Sequence, residues 1–508
     1  MRLRHGVALL LVLLIVWSVR WALPGGELRD YGSFIASGRA GAQGLNPYGI
    51  YPLTFHVVLP GFDVWNPNLN PPISVPVFAQ FDRLDAHTGF RVWWIVSLCC
   101  YLAGVWMLAR TYPRRPPLLS GWALALAGFW DTLALGQIYL PLVLATIAAW
   151  ILLDRGRMAA AGILIGVVVA IKPNFAVWPL LVLFAGHWRA PAAAALTAVS
   201  ISLIPLLAYG WDIYTQWITL LLSDRGRAAF LTNASLVGLT SRAGFASVGV
   251  VLSGLLLLFL AAHVVRRRPD PLSASALGIA GGILASPIAW VHYTLFLLPV
   301  FFVWPLSLPL RLAAVLMIVP VPILLQYLDA PAWQQLTIGS AYNWAALLAC
   351  AGVISSTMKP AMSRDPASRT VVFYDGHCGL CDRFVHFLLA RDAEGRLRFA
   401  TLQGAVARRE LRPPHDPGKV DTVLVIADFG GPRHRVLTRS RAVLHTLSQL
   451  GGVWKGLALA GAMVPAGIAD VLYGFVAARR YGIFGRHDVC PLPRPEWRDR
   501  FLDEPVGS

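Results

Sequence analysis

Apolar runs recur so often along the first 355 residues of this chain that no single soluble domain could bury them all. They lie at Val7 to Val19, Val92 to Leu108, Leu118 to Phe129, Ile138 to Leu153, Met158 to Ile171, Phe175 to Phe184, Ala192 to Tyr209, Val248 to Val265, Leu272 to Ala289, Tyr293 to Val303, Leu312 to Leu325 and Tyr342 to Val353. A helix needs about 20 residues to cross a bilayer, and these runs predict about twelve spans, within two either way. The first follows Arg2, Arg4 and His5, as a signal peptide would, but with Trp21 and Leu23 it approaches span length and no small-residue cleavage site follows it. It is read as a helix that stays.

Charge divides the chain in two. Residues 1 to 362 hold 22 Lys and Arg against 11 Asp and Glu, about 9% charged, whereas residues 363 to 508 hold 21 against 15, about 25%. The composition excludes a disordered or collagen-like chain, and six Cys in 508 residues exclude a disulfide-stapled mini-domain. The net charge of +17 is no sign of nucleic-acid binding, because basic residues gather on the cytoplasmic side of membrane spans. With the N-terminus inside, Arg2, Arg4, Arg110, Arg114, Arg115, Arg155, Arg157, Arg189, Arg266 to Arg268, Arg311 and Lys359 all fall on that side. Nine of the eleven acids, Asp30 among them, then fall on the outer side, where the long loops 24 to 90 and 210 to 246 also lie. An even span count returns the chain to the cytoplasm.

Three segments are expected: a membrane domain at 1–357, a linker at 358–369 and an α/β domain at 370–508. In the last, strands are expected at Thr370 to Tyr374, Leu397 to Leu402, Asp421 to Ile426 and near Arg435 to Leu437, with helices at Cys378 to Ala390, Ser440 to Leu450 and about Val464 to Ala478.

A transporter would carry midplane polar groups and an internal repeat, and neither is visible. An enzyme acting on lipid-borne groups at the outer face fits better. In Glu27-Leu28-Arg29-Asp30-Tyr31 a carboxylate sits close to the membrane edge, where it could take a proton from an attacking hydroxyl. The alternative is a solvated loop acid.

Asp30-Tyr31, Gly44-Leu45-Asn46-Pro47-Tyr48 and Asn68-Leu69-Asn70-Pro71-Pro72 resemble the first outer loop of the polyprenol-phosphate-mannose-dependent α-1,2-mannosyltransferases, glycosyltransferase family 87 of the GT-C class. Leu135-Gly136-Gln137, Ile171-Lys172-Pro173, Asn233-Ala234-Ser235-Leu236 with Gly238 and Arg242, and Ser286-Pro287 with Trp290 and His292 follow in the same order, over about residues 1 to 355. Tyr139 and Ala234 depart from the pattern. The resemblance implies a GT-C fold and an outer-facing site that moves a sugar, mannose by default, from a polyprenyl phosphate donor to a lipid or glycan acceptor without a nucleotide. It also implies Asp30 as general base, with inversion at the anomeric carbon. The departing phosphate needs cations or donors, and His292, Lys172, Arg242 and Asn233 are the candidates. Each has a plainer alternative: an interfacial histidine, a snorkelling lysine, a loop pin and a helix cap. Asp131 and Gln137 are read as structural.

In the last domain, Asp375-Gly376-His377-Cys378-Gly379-Leu380-Cys381 puts a Cys-x-x-Cys between a strand and a helix. At a helix N-terminus unpaired amides favour the thiolate, so Cys378 would attack and Cys381 would resolve, a thioredoxin-like arrangement. The segment resembles the DCC thiol-disulfide oxidoreductases, and Phe399-Ala400, Thr438-Arg439-Ser440, Tyr473, Arg480-Tyr481, Phe484-Gly485 and Cys490-Pro491 extend the match. That resemblance implies Asp375, Cys378 and Cys381 as the active motif, with a thiol redox partner. A zinc site from Cys378, Cys381, Cys490 and His377 is the rival, but a second Cys-x-x-Cys is missing. No metal or cofactor is called for. The expected place is a bacterial inner membrane, multi-pass, with both termini cytoplasmic.

Overall fold

The computed structural model describes residues 2–60, 62–113, 117–223, 226–358, 369–392, 395–411, 423–429, 435–485, 497 and 500–503. The chain divides into two compact units, Met1–Ala361 and Met362–Ser508.

The first unit is helical. Among the described residues, His5–Ala22, Ala86–Thr111, Leu118–Leu135, Arg189–Tyr209, Ala246–Arg267 and Ala332–Ser356 are long and apolar enough to cross a membrane. Tyr139–Asp154, Met158–Ile171, Pro173–Phe184, Pro271–Ala285, Val291–Val303 and Leu308–Met317 are apolar but shorter. All twelve sequence candidates fall on apolar helical segments, yet only six reach span length. Proline explains part of the difference, because it lacks an N–H and restrains the residue before it. The Met158–Ile171 helix stops before Lys172-Pro173, and the Pro271–Ala285 helix stops before Ser286-Pro287.

Burial differs widely among these helices and does not follow their length, since Leu118–Leu135 and Ala332–Ser356 are long yet mostly buried. The Pro271–Ala285 helix is buried on almost every side, whereas Arg189–Tyr209 and Ala246–Arg267 leave most of their apolar side chains outward. An all-apolar helix inside a bundle and one facing lipid satisfy their backbone in the same way, so sequence periodicity does not tell them apart.

Between the first two long helices the connecting segment folds on itself. A helix, Arg29–Ala42, is followed by an antiparallel hairpin, β1 (Phe55–Leu59) and β2 (Phe62–Asn66), and by a short helix, Ser74–Ala79. Although Arg29–Ala42 has little apolar character, eleven of its residues are buried, with Tyr31 stacked on Phe90 at 5.3 Å between ring centroids. Ser33 ties this helix to the hairpin: its hydroxyl donates to the Asn66 carbonyl at 2.6 Å and accepts from the Phe55 N–H at 2.9 Å.

The second unit is built on a four-stranded mixed sheet in the order β4-β3-β5-β6. β3 (Arg369–Tyr374) runs parallel to β4 (Leu397–Thr401) and antiparallel to β5 (Leu424–Phe429), which pairs antiparallel with β6 (Arg435–Thr438). Successive residues feed opposite faces, as the pleat requires. Val372 and Tyr374 pack with Val385, Leu388 and Phe399, whereas Val371 and Phe373 pack with Ala400, Leu424 and Ile426. Helices at Gly379–Arg391, Arg439–Leu450 and Ala466–Phe484 lie near their expected places. Helices Ala405–Glu410 and Gly452–Ala462 were not foreseen, and residues 421 and 422 of the expected third strand lie outside the described residues.

Candidate functional sites

The Arg29–Ala42 helix places Asp30 in its first turn, buried to 4% exposure. The residue before it, Arg29, has φ 47°, in the left-handed region that non-glycine residues seldom occupy. Two side-chain amides hold the carboxylate. Gln137 Nε2 donates to Oδ2 at 2.6 Å, and Asn66 Nδ2 donates to Oδ1. Arg227 donates to the Asn66 side-chain oxygen and to the Trp65 carbonyl, so a guanidinium stands behind the amide that holds this carboxylate. A carboxylate has about four lone-pair positions, and two such bonds leave it able to accept a further proton donor. Burial pushes Asp30 above the ordinary carboxylate range, while the bonds from Gln137 and Asn66 and the charges of Arg227 and Arg29 offset part of that rise.

Gln137 reaches Asp30 because of the glycine before it. Gly136 ends the Ala127–Leu135 helix at φ 69°, and a Cβ there would lie 2.7 Å from Tyr31 Cβ and 2.8 Å from Phe90 Cε2. Only glycine meets both demands.

Within electrostatic reach of this carboxylate lies a buried lysine set among polar and aromatic side chains. Lys172, 8% exposed, donates to Asn70 Oδ1 at 2.7 Å and to the Tyr139 hydroxyl at 2.9 Å. Asn70 is itself aligned by Asn68, whose side-chain oxygen accepts from the Asn70 N–H at 3.0 Å and from its Nδ2 at 2.9 Å. The Asn-x-Asn-Pro-Pro motif thus forms a polar shelf for the lysine. Tyr139, one of the two departures from the motif pattern, accepts from Lys172 through its hydroxyl and stacks on His292 at 4.8 Å. His292 Nδ1 lies 3.3 Å from Asp131 Oδ2 and 3.3 Å from Thr132 Oγ1.

Asn233 and Arg242 take a different part. Asn233 Nδ2 donates to the carbonyls of Ala228 and Pro287, and its Oδ1 accepts from the N–H groups of Ser235 and Ala289. Arg242 donates to the carbonyls of Ala229, Phe230 and Asn233 and to the side chains of Ser340 and Asn343. Together they brace the segment that begins with Arg227. The structure therefore gathers Asp30, Lys172 and His292 with their partners, and sets Asn233 and Arg242 in an adjoining brace.

Sequence reasoning missed Asn66 and Arg227 and read Gln137 and Asp131 as structural, although Gln137 touches the carboxylate. The Gly-Gln pair was the one available signal. Asn66 and Arg227 stand in segments with no motif of their own.

In the second unit the motif folds as its spacing suggests. Cys378 is the N-cap of the Gly379–Arg391 helix, and its sulfur accepts from the Cys381 N–H at 3.4 Å. Both thiols are free and buried. Burial and the neighbouring Cys378 push the Cys381 thiol up. Asp375 accepts from the His377 N–H at 3.0 Å, from Gln403 Nε2 at 3.0 Å and from the Tyr481 hydroxyl, with Arg480 at 3.7 Å. Burial alone would raise this carboxyl, but the bonds from Tyr481, His377 and Gln403 and the Arg480 charge outweigh it and hold it below the ordinary range. Arg480 lies within electrostatic reach of both cysteines. Cys490, the possible fourth zinc ligand, lies outside the described residues, and among the described residues no three of His, Cys, Asp and Glu are grouped to hold a metal.

Comparison with known proteins divides at the same place. Residues 68–287 match the model of glycosyltransferase family 87, and residues 372–486 match that of the DCC1-like thiol-disulfide oxidoreductases. The uncharacterised protein YuxK of Bacillus subtilis is 32% identical over 142 residues, covering 28% of this chain and 99% of its own. A chloroplastic DCC family protein of Arabidopsis thaliana is 30% identical over 125 residues, 24% of this chain and 70% of its own. The polyprenol-phosphate-mannose-dependent alpha-(1-2)-phosphatidylinositol pentamannoside mannosyltransferase of Mycolicibacterium smegmatis is 27% identical over 332 residues, 61% of this chain and 77% of its own. No solved structure matches. The first unit is accordingly a glycosyltransferase similar to family 87, and the second belongs to the DCC1-like thiol-disulfide oxidoreductases.

Proposed function

We propose that the first unit transfers a mannosyl group from a polyprenyl phosphate to a hydroxyl of a lipid or glycan acceptor at the outer face of a bacterial inner membrane. The observation that carries this reading is the buried Asp30 carboxylate, held by Asn66 and Gln137 beside the Lys172 and His292 cluster. Asp30 takes the proton of the acceptor hydroxyl as its oxygen attacks the anomeric carbon, and the bond from that carbon to the phosphate oxygen breaks. The configuration inverts because the attack comes opposite the leaving group. Lys172 neutralises the charge that grows on the departing polyprenyl phosphate, with Arg227 and His292 beside it. Asn233 and Arg242 act by positioning, through the segment they brace.

The second unit, on the cytoplasmic side by the distribution of basic residues, exchanges two electrons with a partner disulfide. Its strand order, with β3 parallel to β4 and antiparallel to β5, supports a thioredoxin-like reading. The Cys378 thiolate attacks one sulfur of the partner and releases the other as thiolate. Cys381, once deprotonated, attacks Cys378, freeing the second partner thiol and leaving a Cys378–Cys381 disulfide.

The test is transfer of radiolabelled mannose from polyprenyl phosphate to host lipid extract by the full chain in liposomes, wild type against Asp30→Asn. Label reaching a new lipid or glycan in wild type alone supports the reading. If well-folded wild type transfers neither mannose nor any other sugar from polyprenyl phosphate, the reading is wrong.

A further inference from the structure

The second unit carries an apolar hairpin that its own two cores leave uncovered. Helices Val453–Ala462 and Ala466–Gly482 meet at a bend of 113° and together are as apolar as a membrane span. Their outward side chains include Val453 at 77% exposure, Met463 at 86%, Val471 at 73% and Phe475 at 60%. The bend itself, Ala462-Met463-Val464-Pro465, has no charged residue.

The inward side is fixed to the domain. Trp454 packs edge-on against Phe387 at 4.8 Å, the Tyr473 hydroxyl accepts from the Val423 N–H at 3.1 Å, and Ala458 is buried. The charged residues of the hairpin divide in the same sense. Asp470 accepts from the Ser440 N–H at 3.2 Å and from its hydroxyl, and Arg480 lies against Asp375. Lys455 and Arg479 are exposed, the latter with its guanidinium 3.8 Å from the Phe475 ring. The outward surface is therefore apolar with basic edges, the composition of helices that lie in a membrane interface. Covalent continuity supplies the surface: residues 359–368 join this domain to the apolar helix Ala341–Met358 and reach no further than roughly 40 Å when fully extended.

We infer that the 453–482 hairpin is a membrane-interface anchor, its apolar bend dipping among the acyl chains of an anionic bilayer and Lys455 and Arg479 at the headgroups. The site at Cys378 is then held at the lipid surface, because the same helix carries Tyr481 and Arg480 to Asp375. The inference is independent of the proposed sugar transfer.

The full chain, reconstituted in phosphatidylglycerol nanodiscs, is given a benzophenone amino acid in place of Met463, of Leu472 or, as a solvent control, of Arg409. After irradiation the adducts are identified by mass spectrometry. Lipid adducts at 463 and 472 are expected in roughly ten-fold excess over those at 409. Adducts chiefly to residues 1–361, adducts chiefly to a second copy of the chain, or lipid adducts no more abundant than at 409 would each overturn the anchor.

Discussion

The two sites of this chain are put together in opposite ways. The redox site is local: Asp375, Cys378 and Cys381 lie within seven consecutive residues, and one helix start orients both sulfurs. The proposed transferase site is dispersed, since its carboxylate, amides and basic side chains come from residues 30, 66, 70, 137, 172, 227 and 292. The two sulfurs of the redox site are set by neighbouring residues, although Asp375 takes bonds from Gln403 and Tyr481 as well. A dispersed site depends on every segment that brings a member in, including groups that touch no reactant.

The first way to break this comparison is to disable one site and measure the other. Cys378→Ser should reduce disulfide exchange to background while mannose transfer stays within two-fold of wild type, roughly, since its surroundings are untouched. Transfer that falls in step with exchange would show that the sites are coupled. Asp30→Asn should lower transfer by about 10²–10⁴-fold, the usual contribution of a general base, and leave exchange intact. Because the proposed base must be ionised and burial raises the Asp30 carboxyl, wild-type transfer should fall as pH drops through a value above 3.8. A rate that stays flat down to the ordinary carboxylate range would exclude this carboxyl as the base.

Smaller effects sharpen the contrast. Gln137→Leu removes one bond to a buried charge, worth about 1.5–3 kcal/mol, so transfer should drop by roughly 10–100-fold and its acid limb should move to higher pH. An unmoved limb would mean that Gln137 does not set the basicity of Asp30. Gly136→Ala should cost stability by about 1–3 kcal/mol, through its positive φ and the contact with Tyr31 and Phe90, and should lower transfer through misplacement of Gln137. A thermal midpoint equal to wild type would show that the turn relaxes freely.

The local site could be read almost whole. Cys-x-x-Cys after a β-strand implies a helix N-cap, and Cys378 is one. The partners that hold Asp375 were only half visible: Arg480 and Tyr481 belonged to the family resemblance, but nothing in their spacing said that they fold back on residue 375. In the membrane unit Asp30, Lys172 and His292 were identified through the ordered motifs that carry them. Their mutual geometry was not, and neither was the pairing of Asn66 with Arg227, because hydrogen bonds across more than 100 residues leave no periodicity to detect.

Sequence by itself determined the division into an apolar and a polar part, the positions of the apolar helices and the redox motif, because hydrophobic periodicity and local spacing are properties of neighbouring residues. Tertiary structure alone decided which of those helices are long enough to cross lipid, which face inward, and how a loop carboxylate gains two amide donors from distant segments. An apolar helix has the same composition whether protein or lipid surrounds it. A buried charge persists only where the fold brings its partners to it.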